Sequence, residues 1–599
     1  MKANKMGLSL IMLLLISSCS NTNSSESTSN SEVSNSPVIS NSTSESLSTT
    51  KPPRPHTHEM SEWVVTKEAD LFHTGEKERH CLSDDGYQEN DIYYDLSEVQ
   101  FEDETYQYSG TQKKLTISGL LPKGIHVEYE NNTQTSIGTT LAKAKFLDED
   151  NNVVATKEAY LNVVAYMGLP RLDINTINSE LINSKEVYTP STISVSNCLS
   201  KYEMNSVSGG VRLRGNGTLE ADKKPFRIKF DSKQNILGLN DGAKAKSWVL
   251  LAEYYDYSLL RNSSAFMLGD SLMDNKGYFS SDFTHVNLYV NNIFNGVYVL
   301  TEQQQVNKNR VDIYEPETNE TSLDIGYLLE IDNYKDDIYF DIPSTSHSAI
   351  DSNGYQAEIP TRSYVIKSDI YANEQKEYIS KYTTNVYEIF YQAVVNNCFY
   401  ELDENHDLKL STEITSQYEA INKVINVDSL FRSYILEEII KDIDVGFSSY
   451  YLYVDFSAES KFKKMTFGAP WDFDWSSGNV DFNGKTYNTS GEYNSVHMEH
   501  MNPWLFLLSR SDFFEDTIKA YWELFTNSGV FDFVYRQIED ITVTYSQDFN
   551  RNFQKWDVLG KSLHVYHSSD VYNIHSHEDA SDYLKNWLSR RIDYLNTIW

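Results

Sequence analysis

The ten residues Pro470-Trp471-Asp472-Phe473-Asp474-Trp475-Ser476-Ser477-Gly478-Asn479 constrain this chain more than any other stretch. The run before them, Lys461 to Phe467, reads as a strand, and the proline and glycine then punctuate a turn. Two carboxylates one residue apart, at a strand end and walled by tryptophans, cannot both be desolvated without a cation or hydrogen-bond donors. A hard divalent ion on oxygen ligands meets that need, and Mg²⁺ holding a phosphate is its commonest use. A surface Asp-x-Asp turn, solvated by water, meets it equally well. The rest of the chain has to decide between the two.

With 599 residues the chain has room for two or more domains and a large core. Its 51 Lys+Arg against 86 Asp+Glu leave a net charge of −35, a field that repels nucleic acid and anionic lipid surfaces. No nucleic-acid partner is therefore expected. Lys2 and Lys5 precede an apolar run from Leu8 to Ile16 that is too short to span a bilayer. Ile16-Ser17-Ser18-Cys19 resembles the lipobox of bacterial lipoproteins, which implies a signal peptide over 1–19 and lipidation of Cys19. The expected location is the extracellular face of the cell membrane, held by that lipid. Residues 20–60 are Ser-, Asn- and Thr-rich and cannot form a core; as a flexible tether they span about 35 Å. Cys81, Cys198 and Cys398 are too scattered to read as a disulfide framework.

A small all-β module is expected over 61–166. Residues 61–95 are weakly patterned and read as irregular or edge structure. From there short alternating runs recur between turn signals: Lys114–Ser118, Ile125–Tyr129, Leu141–Phe146, Val153–Thr156 and Ala159–Val164. The stretch from Leu121 to Asn132, with Gly138 and Ala142–Phe146 after it, resembles bacterial Ig-like and MBG-type surface modules.

Four stretches stand out over 167–599. Val211-Arg212-Leu213-Arg214-Gly215-Asn216-Gly217-Thr218, then Lys223 to Phe230, reads as strand, glycine turn and alternating basic strand. That is what a phosphate cradle needs, since glycines let backbone N–H groups approach and Lys or Arg supplies charge. It matches neither Walker A nor G-x-G-x-x-G, and taken alone it is a hairpin turn. Five basic residues in so acidic a chain, Arg212, Arg214, Lys224, Arg227 and Lys229, nonetheless point to an anion. Ser247–Leu268 begins strand-like and turns helical, with Asp256 as N-cap and Leu259, Leu260, Ala265, Phe266 and Leu268 as the apolar face. Arg261 and Asn262 either face a ligand or form a structural pair with an acid. His285–Glu302 reads as a hairpin around Asn291–Gly296, and Glu302 either pairs with a buried lysine or is an exposed strand-end acid. Glu437–Asp455 runs from a helix end through a loop carrying Asp442 and Asp444 into a strand, one hairpin ahead of Asp472. A phosphotransferase uses such an order: a loop aspartate for the acceptor hydroxyl, a second for Mg²⁺.

Together these motifs, with Trp587–Leu595, resemble the spore coat protein H (CotH) kinase family in order and spacing from about 170 to 599. The resemblance implies an α+β, two-lobed, atypical protein-kinase-like domain behind the small all-β domain. It implies ATP with Mg²⁺ or Mn²⁺ as cofactors and Ser/Thr of a secreted or surface protein as acceptor. It implies Asp444 as the catalytic aspartate, with Asp442 as competitor because family members often carry Asn there. Asp472 is then the metal-binding residue and Asp474 a further or alternative ligand. Lys229 is the candidate phosphate-gripping lysine, Glu302 its partner, and Arg214, Gly215, Asn216, Gly217, Thr218 and Arg227 the nucleotide cradle. Residues 335–430 read as an insertion plus helices connecting the lobes.

Two histidine groups, His497/His500 and His564/His567/His575/His577, lack zinc-site spacing and read as solvated loops. Two rivals remain: a catalytically silent surface protein of the same fold that binds a protein or polysaccharide, and a metallohydrolase on the same carboxylates. The second lacks a His-rich set of ligands.

Overall fold

Strands fill the first half of the chain and long helices the second, following a change from twofold to helical apolar periodicity. The computed structural model describes residues 57–83, 86–343, 345–351, 354–481 and 502–599. Cys19, the leader, nearly all of the tether and the His497/His500 pair lie outside them. Among the described residues, 57–68 with 76–92 form one compact unit, and 69–75 with 93–599 form the other.

In the smaller unit the irregular structure expected over 61–95 is instead a three-stranded sheet of β1 (Val64–Lys67), β2 (Gly75–His80) and β3 (Gln88–Tyr93). Polar pairs hold it: Lys77–Asp91 at 3.1 Å, Arg79–Glu89 at 2.5 Å, and Arg79 over the Trp63 ring at 4.6 Å. A sheet stapled by charges shows no apolar alternation, so the usual sign of strands is missing.

The larger unit opens with β4 (Glu104–Gln107), β5 (Lys113–Lys114), β6 (His126–Glu130), β7 (Thr133–Gln134), β8 (Gly138–Leu147) and β9 (Val153–Val164). They form a sheet of order β4-β9-β8-β6 and a β5-β7 ribbon. The runs read separately in 153–164 are one strand, paired antiparallel with β8 from Gly138↔Val163 to Leu147↔Val153. Its core is Val99, Phe146, Leu161 and their neighbours.

Next comes a closed barrel of order β10-β11-β12-β13-β14-β16-β15. Its strands are β10 (Arg171–Thr176), β11 (Thr189–Ser196), β12 (Met204–Leu213), β13 (Phe226–Gln234), β14 (Ala245–Leu251), β15 (Phe283–Val290) and β16 (Ile293–Thr301). Strict alternation decides what each strand puts inside: Phe226, Ile228 and Phe230 enter the barrel core, so Arg227 and Lys229 must face out. The β15–β16 hairpin expected around Asn291–Gly296 forms, turning at Asn291 and Asn292, both at positive φ (49° and 64°).

Helix α1 (Arg261–Met273) is inserted between β14 and β15. The remainder is a five-stranded sheet of order β18-β21-β17-β24-β25 covered by helices. Its strands are β17 (Gly326–Ile331), β18 (Tyr339–Ile342), β21 (Arg362–Ile366), β24 (Tyr450–Asp455) and β25 (Thr466–Phe467), with two ribbons, β19–β20 (His347–Ile350, Gln356–Ile359) and β22–β23 (Tyr400–Leu402, Leu408–Leu410). Its helices are α2 (Asn373–Asn396), α3 (Gln417–Val424), α4 (Val427–Ile440), α5 (Pro503–Leu508), α6 (Phe514–Asn527), α7 (Val530–Thr544), α8 (Ser546–Lys555), α9 (Ser569–Tyr572) and α10 (His577–Ile598). The span 335–430 thus supplies two strands of the central sheet besides its helices. The strand read from Lys461 to Phe467 is only Thr466–Phe467, preceded by a bridge between Met465 and Ile425.

Candidate functional site

Outward-facing arginines form one wall of a cleft. Arg212 on β12 lies directly opposite Arg227 on β13, and like charges at facing sheet positions repel. The buried Nε atoms of both have no hydrogen-bond partner among the described residues. Burial, then the neighbouring Arg212, Arg214 and Arg310, lowers the pKa of the Arg227 guanidinium. Just beyond β12, Arg214 sits over the Trp471 ring at 5.5 Å. Gly215 follows at φ +88°, where a Cβ would meet the Thr218 Oγ1 at 2.1 Å, so only glycine allows this turn. Lys224 Nζ donates to Leu219 O at 2.6 Å and closes the loop behind it. Lys185 donates to Asn216 and pairs with Asp336 at 2.8 Å.

Carboxylates form the opposite wall, and α1 holds them there. Asp256 is fully buried and accepts from Ser258 N (2.9 Å), Leu260 N (3.0 Å) and Arg261 N (2.8 Å), while also pairing with the Arg261 guanidinium. It therefore satisfies the open N–H groups of α1 from five residues upstream rather than as the N-cap, which is Leu260. Arg261 then donates to Ser476 O (3.1 Å) and Ser477 O (3.3 Å). Asn262 accepts from Phe473 N at 2.7 Å and donates to Glu253 at 3.0 Å. Both residues thus grip the Asp472 loop; the structural Arg–Asp pair is the reading the geometry carries. Ser477 N donates to Ile440 O at 2.7 Å, which ties that loop to the end of α4, where Asp442 and Asp444 follow. Ala469, Asp472 and Ser477 all have positive φ (63°, 70° and 47°), strain that this network sustains.

Between the walls lies a cavity of about 590 Å³. Of the residues singled out from the sequence, Arg214, Gly215, Asn216, Gly217, Thr218, Arg227, Asp444, Asp472 and Asp474 line it. Asp442 does not: it is buried beside it and accepts from Asp444 N at 3.1 Å. Lys229 points to solvent, its Nζ 5.8 Å from the Tyr188 ring. Glu302 is buried, but its partner is Arg310 at 3.0 Å, not a lysine. The Lys–Glu pair that does line the cavity is Lys367–Glu330 at 2.7 Å, which the sequence reading missed. Lys367 follows β21 (Arg362–Ile366) directly while Glu330 stands on β17, so no local pattern links the two. Burial opposes the Lys367 charge, but Glu330 outweighs it and raises its pKa.

The electrostatics of the acid wall are unfavourable. Burial, then Asp472, raises Asp444 to about 7. Burial, then Asp472 and Glu253, pushes Asp474 well above the usual carboxylate range. Asp442 is raised likewise by burial, then by Glu437 and Asp444. Ser449 Oγ donates to Asp472 Oδ2 at 3.2 Å, one donor against several like charges. Such a set fits a divalent cation. Among the described residues no three His, Cys, Asp or Glu side chains are disposed to enclose a metal by themselves. An ion shared with a phosphate needs only one or two carboxylates, as Mg²⁺ sites commonly do.

The histidine loop is not solvated as expected. His567 and His577 are buried, donating to Tyr255 O (2.9 Å) and Ser258 O (2.8 Å), and burial lowers each to about 4. His564 lines the cavity, edge-on to Trp475 at 4.6 Å between centroids.

The cleft thus brings guanidinium groups, a glycine turn and carboxylates to one cavity. The chain belongs to the CotH family: the family model described as CotH kinase protein matches residues 211–595, from the first arginine strand through α10. No curated protein matches the chain.

Proposed function

We propose that the chain is a cell-surface protein kinase that transfers the γ-phosphate of ATP to Ser or Thr hydroxyls of secreted or surface proteins. The observation that carries this is that Arg212, Arg214, Arg227 and Lys367 line one cavity together with Asp444, Asp472 and Asp474. Arg212 and Arg227, opposed with unpartnered Nε atoms, are suited to phosphate oxygens, and the backbone at Gly215–Thr218 to the same group. Asp472 and Asp474 would hold Mg²⁺ or Mn²⁺, which supplies neutralisation of phosphate charge when bound. Asp444, raised to about 7, is matched to take the acceptor hydroxyl's proton near neutral pH while the oxygen attacks the γ-phosphorus and ADP leaves. Lipidation of Cys19 would hold the domain outside the membrane.

The test is transfer of labelled γ-phosphate by the purified chain with Mg²⁺ or Mn²⁺, beside Asp444→Asn and Asp472→Asn. Label on Ser or Thr with wild type alone supports the reading; nucleotide binding with no transfer sinks it. That second outcome is what a catalytically silent binding protein would give.

A further inference from the structure

One end of the cleft carries chemistry that phosphate binding does not use. Val249 on β14 pairs with Thr301 at the end of β16, and the chain leaves β16 into Gln303 and Gln304, both lining the cavity. Gln304 is 4 % exposed. Its Nε2 donates to Pro470 O at 3.2 Å and to Ser281 Oγ at 2.8 Å. Because Pro470 O can only accept, the orientation of the amide is fixed, and Oε1 must be the free end. Among the described residues that Oε1 has no hydrogen-bond partner, nor has the buried Oε1 of Gln303. A buried amide oxygen without a donor costs about 1–3 kcal/mol, so two adjacent ones at a cavity wall call for a ligand N–H. Val249 and Leu213 from the barrel line the same cavity, as does Trp471, next to the carbonyl that Gln304 holds. A flat heterocycle fits between such walls, and an exocyclic amino group is the donor it can offer.

We propose that Gln304, with Gln303 beside it, reads the nucleobase and selects a 6-amino purine over a 6-oxo purine. This rests on the nucleotide reading above. A 6-oxo group would present an acceptor to Gln304 Oε1 at the position where a 6-amino group presents a donor. Discrimination then comes from an unmet acceptor, the arrangement that rejects near-isosteres most strongly.

The experiment measures dissociation constants of ATP and ITP, which differ at the purine 6-substituent and in N1, an acceptor in adenine and an N–H donor in hypoxanthine, for the full chain with Mn²⁺. Wild type is expected to bind ATP at least about tenfold tighter. Gln304→Met keeps the volume and removes the acceptor; ATP affinity should fall to that of ITP, with ITP unchanged. Ser281→Ala removes a partner of the amide nitrogen alone and should leave the ATP:ITP ratio intact, which separates base reading from simple support of the loop. Equal binding of ATP and ITP by wild type, or an unchanged ratio in a folded Gln304→Met protein, overturns the inference while leaving phosphotransfer standing. Failure of every nucleoside triphosphate to bind removes both.

Discussion

Asp256 shows how much one side chain can organise. It is inaccessible to solvent, takes three backbone N–H groups, and neutralises Arg261, which in turn holds two carbonyls of the Asp472 loop. Burial alone would raise its pKa, but Arg261 and these donors outweigh that and lower it. Asp256→Ala leaves a buried guanidinium uncompensated, and we expect a loss of about 3–5 kcal/mol in denaturant unfolding. Nucleotide binding should weaken in the same variant, since the loop loses its anchor. A loss under 1 kcal/mol would mean that Arg261 is held by something else. His577 gives the pH counterpart. It is held neutral, lowered to about 4 against an ordinary value near 6.5, because its burial against Phe549 outweighs the hydrogen bond from its Nε2–H to Ser258 O, which favours the charged form. Between those values the unfolded chain binds a proton that the folded chain does not. Its contribution is therefore complete above pH 6.5 and lost as the pH falls towards 4, by up to about 3 kcal/mol. Buried acids such as Glu437, raised to about 8, respond in the opposite sense, so the reading must be differential. Melting temperature against pH should fall less steeply from 6.5 to 4.5 in His577→Gln than in wild type; parallel curves would refute the assignment.

At the level of elements, α1 positions the acids without touching the cavity. Asn262 accepts from Phe473 N, the peptide between Asp472 and Asp474, and so fixes the positive φ of Asp472. Asn262→Ala should cost about 2–3 kcal/mol of stability and lower Mn²⁺-dependent ATP affinity, whereas a stability loss with unchanged affinity would confine α1 to packing. This helix also marks the limit of what the sequence disclosed. Its buried residues run round every side, so no amphipathic stripe separates a supporting face from a ligand face, and Arg261 and Asn262 were readable either way. The barrel strands were clearer, because Phe226, Ile228 and Phe230 alternate with outward basic residues. Alternation says which residues face out but not which of them reach a cleft formed with another sheet. For that reason Arg227 was placed correctly by face and cavity while Lys229, on the same face, stands in solvent. The loops carrying Asp444 and Asp472 were legible as turns between strand and helix signals. Lys367 and Glu330 were not, because they pair across strands β21 and β17 and nothing local links them.

Across the whole larger unit, the small sheet module is part of the body rather than a bead before it. Glu98 in the module is 3 % exposed and takes both Nη groups of Arg432 on α4, at 2.9 and 3.2 Å. Arg432 also donates to Leu272 O near the end of α1, so one guanidinium joins the module to both helices that position the acid wall. Asn275 Nδ2 donates to Glu98 O at 2.8 Å, Leu121 N to Ser528 Oγ at 2.8 Å, and Lys113 pairs with Asp540. The match to the family begins at residue 211, well after these contacts. Glu98→Ala leaves Arg432 with Asp428 as a partner, so the pair is weakened rather than abolished. About 2–3 kcal/mol should be lost, less than for a fully stranded charge. If the module and the body are one cooperative structure, calorimetry of the full chain will show a single transition for residues 93–599, lowered as a whole in this variant. Were the module an independent spacer, Glu98→Ala would shift only a minor transition and leave the main one, and nucleotide affinity with it, where they were.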